Sequence, residues 1–482
     1  MTLKASCAAY MSTAEAPVNS LSDPELKAAL QDLRRADNVT NWWYLFRTYL
    51  YFVLVIGATV WFFENRDTLG VPWALNVPVA LVAVVLIGAG QHQLSGLAHE
   101  GSHYILFRNR VLNDLASDVL TMFPLFASIY HYRLQHLAHH QFVNDPDRDP
   151  DVSQLKSSGH WLGFPLARPA VLRALVRQLS PFRLVRFMRI RAQYNATGTD
   201  KNPYMIKGEK LATGAVRVGI VYLLATVATL AALFYLTDDW WLMPAAAAAL
   251  WLTVTAVFLA LPDQKFQRSK LRPVIHSRYT SAMRVGFVAL VFTTLAVVTK
   301  LTGAPAVPYY FLLWVAPIFT SFAFFMILRQ LVQHGNGGRG WINNTRTFLV
   351  APFIRFAVFP FGQDYHLPHH MYATVPHFRL KRLHELLMQY PEYRDEALEV
   401  HGYFVSPEKP PVHPTVVDVL GPEYSPRTAE VHIDAEAVSV ADISDREGLA
   451  KEEELSKGAG RVEGFALRRR SPQLMICFRR LM

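Results

Sequence analysis

His99-Glu-Gly-Ser-His103 sets two imidazoles four residues apart. On a helix those positions share a face, about 5–6 Å apart, so both rings can reach one metal ion or a close pair. His136-Leu-Ala-His139-His140 and His366-Leu-Pro-His369-His370 repeat a denser HxxHH pattern. His136 shares a helix face with both His139 and His140. Pro368 disfavours a straight helix through the third stretch, which is expected at a helix start or turn. A lone HxxxH arises often by chance; with two HxxHH stretches in the same chain it is a strong signal. His334 can join them, because it leaves an apolar run at the same end. Imidazole is a neutral ligand for iron, copper, nickel and zinc. A zinc ion takes four protein ligands in a closed site and about three in a catalytic one. Nine candidates (His99, His103, His136, His139, His140, His334, His366, His369 and His370) exceed one ion and suit two, each with four or five ligands. The other histidines, His92, His131, His160, His276, His377, His384, His401, His413 and His432, lack ligand spacing or lie in basic loops or the tail. They are expected to be structural or superficial, with His92 a candidate for a supporting position about two turns before His99.

The elements that must position these side chains are apolar blocks. Of 482 residues 51% are hydrophobic and 18% charged, against about 25% charged in soluble proteins; that excludes intrinsic disorder. Two cysteines, Cys7 and Cys477, make neither a disulfide scaffold nor a zinc motif. A membrane-spanning helix needs about 20 mostly apolar residues, and six stretches qualify: Trp43–Phe63, Val71–Gly96, Ala212–Leu236, Trp240–Leu261, Val285–Leu301 and Val307–Val332. Leu112–Ile129 and Phe348–Phe361 are shorter, contain Pro and charge, and read as interfacial or re-entrant. The net charge of +10 first points to nucleic acid, but its placement decides otherwise. Lys156–Lys210 holds eleven Lys/Arg and two acids, and Asp263–Arg284 six Lys/Arg and one acid, whereas the alternate connections are nearly free of basic residues. Basic loops face the cytoplasm, so the termini and all three histidine clusters are expected there. Four spans separate the second cluster from the third, and an even number lets them converge. The fold class expected is an all-α integral membrane protein, with about six transmembrane helices and a cytoplasmic helical cap holding a His-rich dimetal site. Residues 1–41 are expected as a cytoplasmic N-terminal segment without signal-peptide character, 42–400 as the membrane domain, and 401–482 as a poorly ordered cytoplasmic tail.

With these pieces in this order, the sequence resembles the membrane fatty acid desaturase superfamily over roughly Thr40 to Tyr390. The resemblance is carried by HEGSH at 99–103, HLAHHQFVNDPDRDPD at 136–151, LRQLVQHG at 328–335, NTRTF at 344–348 and YHLPHHMYATVPHFRLKRLHELL at 365–387. It implies that the nine histidines bind two non-haem iron ions that activate O2 as co-substrate, His334 matching the family's extra histidine. Gln333 stands where the family often has Glu, and Pro368 where its third box usually has a polar residue. Asp149 and Asp151 can orient ligand histidines through the second ring nitrogen, or cap a helix. Arg346 can pair with a carboxylate or an anionic head group.

The reaction so implied is removal of two hydrogens from the acyl chain of a lipid or acyl-CoA. The alternative is a related hydroxylase or ketolase of a fatty, sphingoid, alkane or carotenoid chain. Zinc has no redox chemistry, so a zinc reading of the same histidines would mean hydrolysis. A transporter would place ionisable groups near the bilayer midplane, where these blocks have almost none. Phe123, Phe126, Trp161, Phe325 and Tyr372 are candidate tunnel residues. The chain carries no GxGxxG after a strand, no haem signature and no four-cysteine iron–sulfur pattern, so a separate electron donor, a ferredoxin or cytochrome b5-type protein, is implied. Bacterial inner membrane and endoplasmic reticulum both fit.

Overall fold

The computed structural model describes residues 21, 23–197, 202–206 and 212–425. Most of the N-terminal segment, Cys7, Cys477, His432 and the tail beyond 425 lie outside the described residues.

The apolar blocks form helices for the expected reason: a helix satisfies its own backbone, as a bilayer requires, and the sixth does so across Pro317 by way of a π turn at Phe311–Val315. Among the described residues six helices are long and apolar enough to cross a membrane. Here α1 is Pro24–Leu33 and α2, the first span, Thr40–Asn65. The second span, Trp73–Ser102, opens with a single 3-10 turn and continues as α3, Asn76–Ser102. Between spans two and three lie α4 (Arg110–Ser117), α5 (Ile129–Gln141), α6 (Pro150–Ser158), α7 (Arg168–Arg177) and α8 (Pro181–Thr197). Spans three to five are α9 (Gly214–Leu236), α10 (Leu242–Ala260) and α11 (Ser277–Thr302). The sixth, α12, runs Ala306–Gln333. The fifth helix starts eight residues before its apolar run, at Ser277. Leu112–Ile129 breaks into α4 and short turns, and Phe348–Phe361 holds α13 (Pro352–Val358), which packs on α3. Neither makes a span.

Burial divides span two in half. Its first half exposes Val77, Leu81, Val82 and Val85, whereas every residue from Ile87 to Ser102 is buried. The buried half is where α12, α13, α5 and α4 pack. Gly101 makes the last contact possible: a Cβ there would run into Ser117 of α4. Spans three to five form their own bundle around Tyr222, Val254, Phe258, Val285 and Ala289.

The cap is helical except for two three-residue strands, β1 (Thr347–Leu349) and β2 (Glu399–His401), paired in parallel with Phe348 opposite Val400. Helix α14 (His366–Met371) carries the third histidine stretch, and Pro368 falls in its first turn, where its missing N–H costs nothing. Helices α15 (Leu380–Leu387) and α16 (Pro391–Arg394) follow. Packing then continues past the expected domain end at 400. Val416, Val417, Val419 and Leu420 are buried in the same core as α12, so 401–425 is an ordered closing segment rather than tail.

Candidate metal centre

Four separate elements deliver the nine histidines. The end of α3 supplies His99 and His103, α5 supplies His136, His139 and His140, the residue after α12 is His334, and α14 supplies His366, His369 and His370. They close into two groups, His99, His103, His136, His140 and His369 in one, His139, His334, His366 and His370 in the other. Within each group the ligand-type atoms all lie within 4.8 Å of one another. The division follows helix geometry. At 3.6 residues per turn, i+4 returns within about 40° of i, while i+3 falls about 60° to the other side. His136 and His140 therefore face one group and His139 the other; His366 and His370 share one group and His369 crosses over.

The donor set fits a pair of metal ions. Nε2 atoms meet at 2.8 Å (His103 and His136), 3.1 Å (His136 and His140), 3.2 Å (His140 and His369), 3.1 Å (His139 and His334), 2.9 Å (His334 and His366) and 3.1 Å (His366 and His370). Ligands at about 2.1 Å and right angles around one ion would be about 3.0 Å apart. Imidazole lone pairs converging this closely repel unless a cation stands among them. His99 makes the same point, since both its ring nitrogens are buried without a hydrogen-bond partner.

Protonation favours the same use. Burial, aided by neighbouring rings, pushes His103, His136, His140, His334, His366 and His370 well below the ordinary imidazole range. Burial lowers His369 to about 3. These rings are neutral near pH 7, the form that binds metal. His139 is the exception: burial would lower it too, but the Asp149 and Asp151 carboxylates together outweigh burial and lift the ring to about 9, so a metal ion would have to displace its Nε2 proton. His139 Nδ1–H donates to Asp149 at 3.0 Å, leaving Nε2 to face its group.

Asp149 also caps α6, accepting from the Asp151 N–H at 2.9 Å, so its two expected roles coexist. Asp151 lies in the first turn of α6, beside the centre. His334 Nδ1 donates to the Asn344 carbonyl at 3.1 Å. Arg346 donates to the Gly335 carbonyl at 2.7 Å, bracing the turn after His334.

Spacing did not reveal the supporting layer. Buried Arg133, on α5, forks onto Asp114 at 2.6 and 3.1 Å and donates to the Gly101 and Ser102 carbonyls at 2.9 and 3.1 Å. It therefore welds the end of the first histidine stretch to the helix of the second. Glu100 accepts from the His377 N–H at 2.8 Å, tying the first stretch to the loop after the third. His92 donates Nδ1–H to the Ala357 carbonyl at 2.7 Å and holds α13 on α3. A third ligand-type group, Glu399, His401 and His413, also lies within 4.8 Å, although sequence spacing gave His401 and His413 no such role.

One cavity reaches the centre and a second adjoins it. One of about 30 Å³ is lined by His99, His136, His139 and His366 with Gln135, Gln154, Arg329, Gln330 and Gln333. Another of about 130 Å³ is mostly apolar, lined by Met122, Leu125, Phe126, Ile318, Phe319 and Phe322. Tyr132, Arg191 and Asn195 line both and form their common wall. Of the candidate tunnel residues only Phe126 lines the apolar cavity. Phe123, Phe325 and Tyr372 are buried in packed core and Trp161 is 41% exposed.

A sequence model of the fatty acid desaturase family matches residues 72–278 and 253–400, a stretch that contains all nine histidines of the two groups. The chain belongs to that family. Among its relatives, the dihydrorhizobitoxine desaturase of Bradyrhizobium elkanii is 33% identical over 136 residues, 28% of this chain and 35% of that protein. The Delta(5) fatty acid desaturase fat-4 of Caenorhabditis elegans is 39% identical over 72 residues, 15% of this chain and 16% of that protein. The match thus spans about a third of the first relative and about a sixth of the second.

Proposed function

We propose that the protein is an O2-dependent di-iron desaturase that introduces a double bond into the acyl chain of a lipid or CoA thioester. The observation that carries this reading is the convergence of nine histidines, from four elements, into groups of five and four at one end of the spans. Two iron ions held there would supply the oxidation that removes hydrogen from an unactivated methylene, chemistry no side chain provides. The balance is one O2, two electrons and two protons in, two hydrogens removed from the chain, and two waters out. Electrons come from a separate ferredoxin or cytochrome b5-type donor.

The chain's own residues do the positioning. In the first group His99, His103, His136, His140 and His369 would hold one ion, and His139, His334, His366 and His370 the other. Asp149 and the Asn344 carbonyl fix the ring orientation of His139 and His334. The apolar cavity beside Phe126, Phe319 and Phe322 offers an acyl chain an approach that ends at Tyr132. The centre lies on the side of the two basic loops, and by the positive-inside rule that side is the cytoplasm. Expression in a host whose fatty acids are profiled by mass spectrometry tests the reading. A new double bond, lost together with about two irons per chain in His139→Ala, is the expected outcome. Zinc alone with O2-independent activity would overturn it.

One observation favours a second reading of the substrate. Arg329 is buried at the polar cavity and its Nε and Nη1 have no hydrogen-bond partner. A substrate with an anionic or strongly polar group near the reacting carbon would satisfy them. Arg329→Gln should then raise KM for such a substrate at least tenfold; for a plain acyl chain KM should not move.

A further inference from the structure

The apolar cavity of about 130 Å³ lies beside the histidine groups, and its walls reach the outside of the helices. At its inner end is Tyr132, whose ring stacks on His136 of the first group at 5.5 Å and 11°. Met122 and Phe322 in its wall are buried, whereas Phe126, Ala192 of α8 and Phe319 of α12 are exposed. The cavity therefore runs from the surface toward the first histidine group. Phe126 holds φ 58° and ψ 26°, a left-handed conformation that is costly for a bulky residue and persists mainly at ligand sites.

The level of the opening follows from the sixth span. Its 28 residues are about 42 Å long, against about 30 Å of hydrocarbon. The surplus stands in the cap, where Phe325 to Gln333 are all buried. Phe319 lies about 21 Å before Gln333 by the same rise, at bilayer depth. The helix is interrupted there by the π turn, by Pro317 and by a non-helical Thr320, and such interruptions bend a span and make room beside it. Charge marks the upper edge. Arg284 lines the cavity and is the last charged residue before the apolar run of span five, which places it at head-group level. Its acidic neighbour is Asp118, and burial pushes that carboxyl up to about 7, so the arginine's charge is only partly offset. Arg191, on α8, adds a second positive charge to the wall. Among the described residues neither guanidinium makes an ion pair.

We propose that this cavity is a side entrance from the bilayer, and that the acyl chain enters it while still esterified in a membrane phospholipid whose phosphate is held by Arg284. The proposal rests on the desaturase reading and narrows its substrate from lipid or CoA thioester to phospholipid. Guanidinium matches phosphate through its planar fork, and a phospholipid carries that phosphate at the membrane surface with its chains directly beneath. A CoA thioester keeps its phosphates and adenine in water and would have to enter past the cap.

The test uses the full chain in nanodiscs with three probes: a phosphatidylglycerol carrying a mid-chain diazirine, the diacylglycerol with the same chain, and the CoA thioester of the same acid. After photolysis, peptide mass spectrometry reads labelling of Met122 and Phe322, which bulk lipid does not reach. The expected result is labelling by the phospholipid that excess unlabelled acyl-CoA does not suppress. Ala192→Trp, which fills the mouth from an exposed position, should cut that labelling at least fivefold. Arg284→Gln should cut it for the phospholipid and leave the diacylglycerol unaffected. Labelling by the CoA thioester alone, or phospholipid labelling that Ala192→Trp leaves unchanged, would overturn the proposal. Turnover separates the two readings: a double bond formed on acyl-CoA alone sinks the side entrance and leaves the desaturase reading standing, whereas phospholipid labelling without any double bond does the reverse.

Discussion

At the residue scale, Asp149 does two jobs with one carboxylate, and they can be pulled apart. It accepts from His139 Nδ1 and it caps α6. Asn is as good a helix cap as Asp, whereas Ala forfeits about 1 kcal/mol. Asn lacks the charge that lifts His139 and keeps its proton on Nδ1. Asp149→Asn should therefore hold its unfolding temperature and lose metal affinity 10–100-fold, the usual cost of removing such a partner. Asp149→Ala should lose both. If the Asn variant binds iron as tightly as the wild type, the capping role alone explains the residue. The histidines differ from Asp149 in how plainly they could be read. Their spacing announces them, and even the five-and-four division is latent in the i+3 and i+4 offsets. Which ring crosses to which group needed the packing of α5 against α14.

At the element scale, the centre depends on α3 and α5 being held in register, and Arg133 with Asp114 is the pin. Arg133 is 1% exposed and Asp114 3%. Removing one partner of a buried pair strands the other charge, at a cost of about 3–5 kcal/mol. Asp114→Ala should lower the unfolding temperature by several degrees and release iron. Replacing both residues by apolar ones of similar volume should restore much of the stability without restoring iron binding, because Gly101 and Ser102 lose their tether. Recovery of both would show that the pin is mere packing. Sequence could not disclose this element of the design. The six spans were legible because apolar blocks of this length have few other uses, and the helix holding Pro368 because proline tolerates only a first turn. Arg133 and Asp114 are 19 residues apart, and Glu100 and His377 are 277 apart. Single polar residues on short helices leave no periodic trace, and neither do the two strands that precede the closing segment, three residues each.

At the scale of the whole molecule, the ends of the spans sort the side chains. The short connections after α2, α9 and α11 lie at one end, and the histidines, the cap helices and both basic loops belong to the other. The charge that first resembled a nucleic-acid signal is gathered at one end of the spans, and the proposed orientation puts that end in the cytoplasm by the positive-inside rule. The consequence can be checked directly, because the chain has only two cysteines, Cys7 and Cys477. With both changed to Ser, one new cysteine reports one side. Lys270 is exposed in the basic connection between α10 and α11, and Asp238 is exposed in the connection between α9 and α10. In intact cells or sealed inner-membrane vesicles of known sidedness, a membrane-impermeant maleimide should label Asp238→Cys only from the non-cytoplasmic face and Lys270→Cys only from the cytoplasmic one. The reverse pattern would put the histidine centre on the far side of the membrane from any cytoplasmic electron donor. Labelling of both positions from one face would break the even span count on which the convergence of His136 and His366 depends.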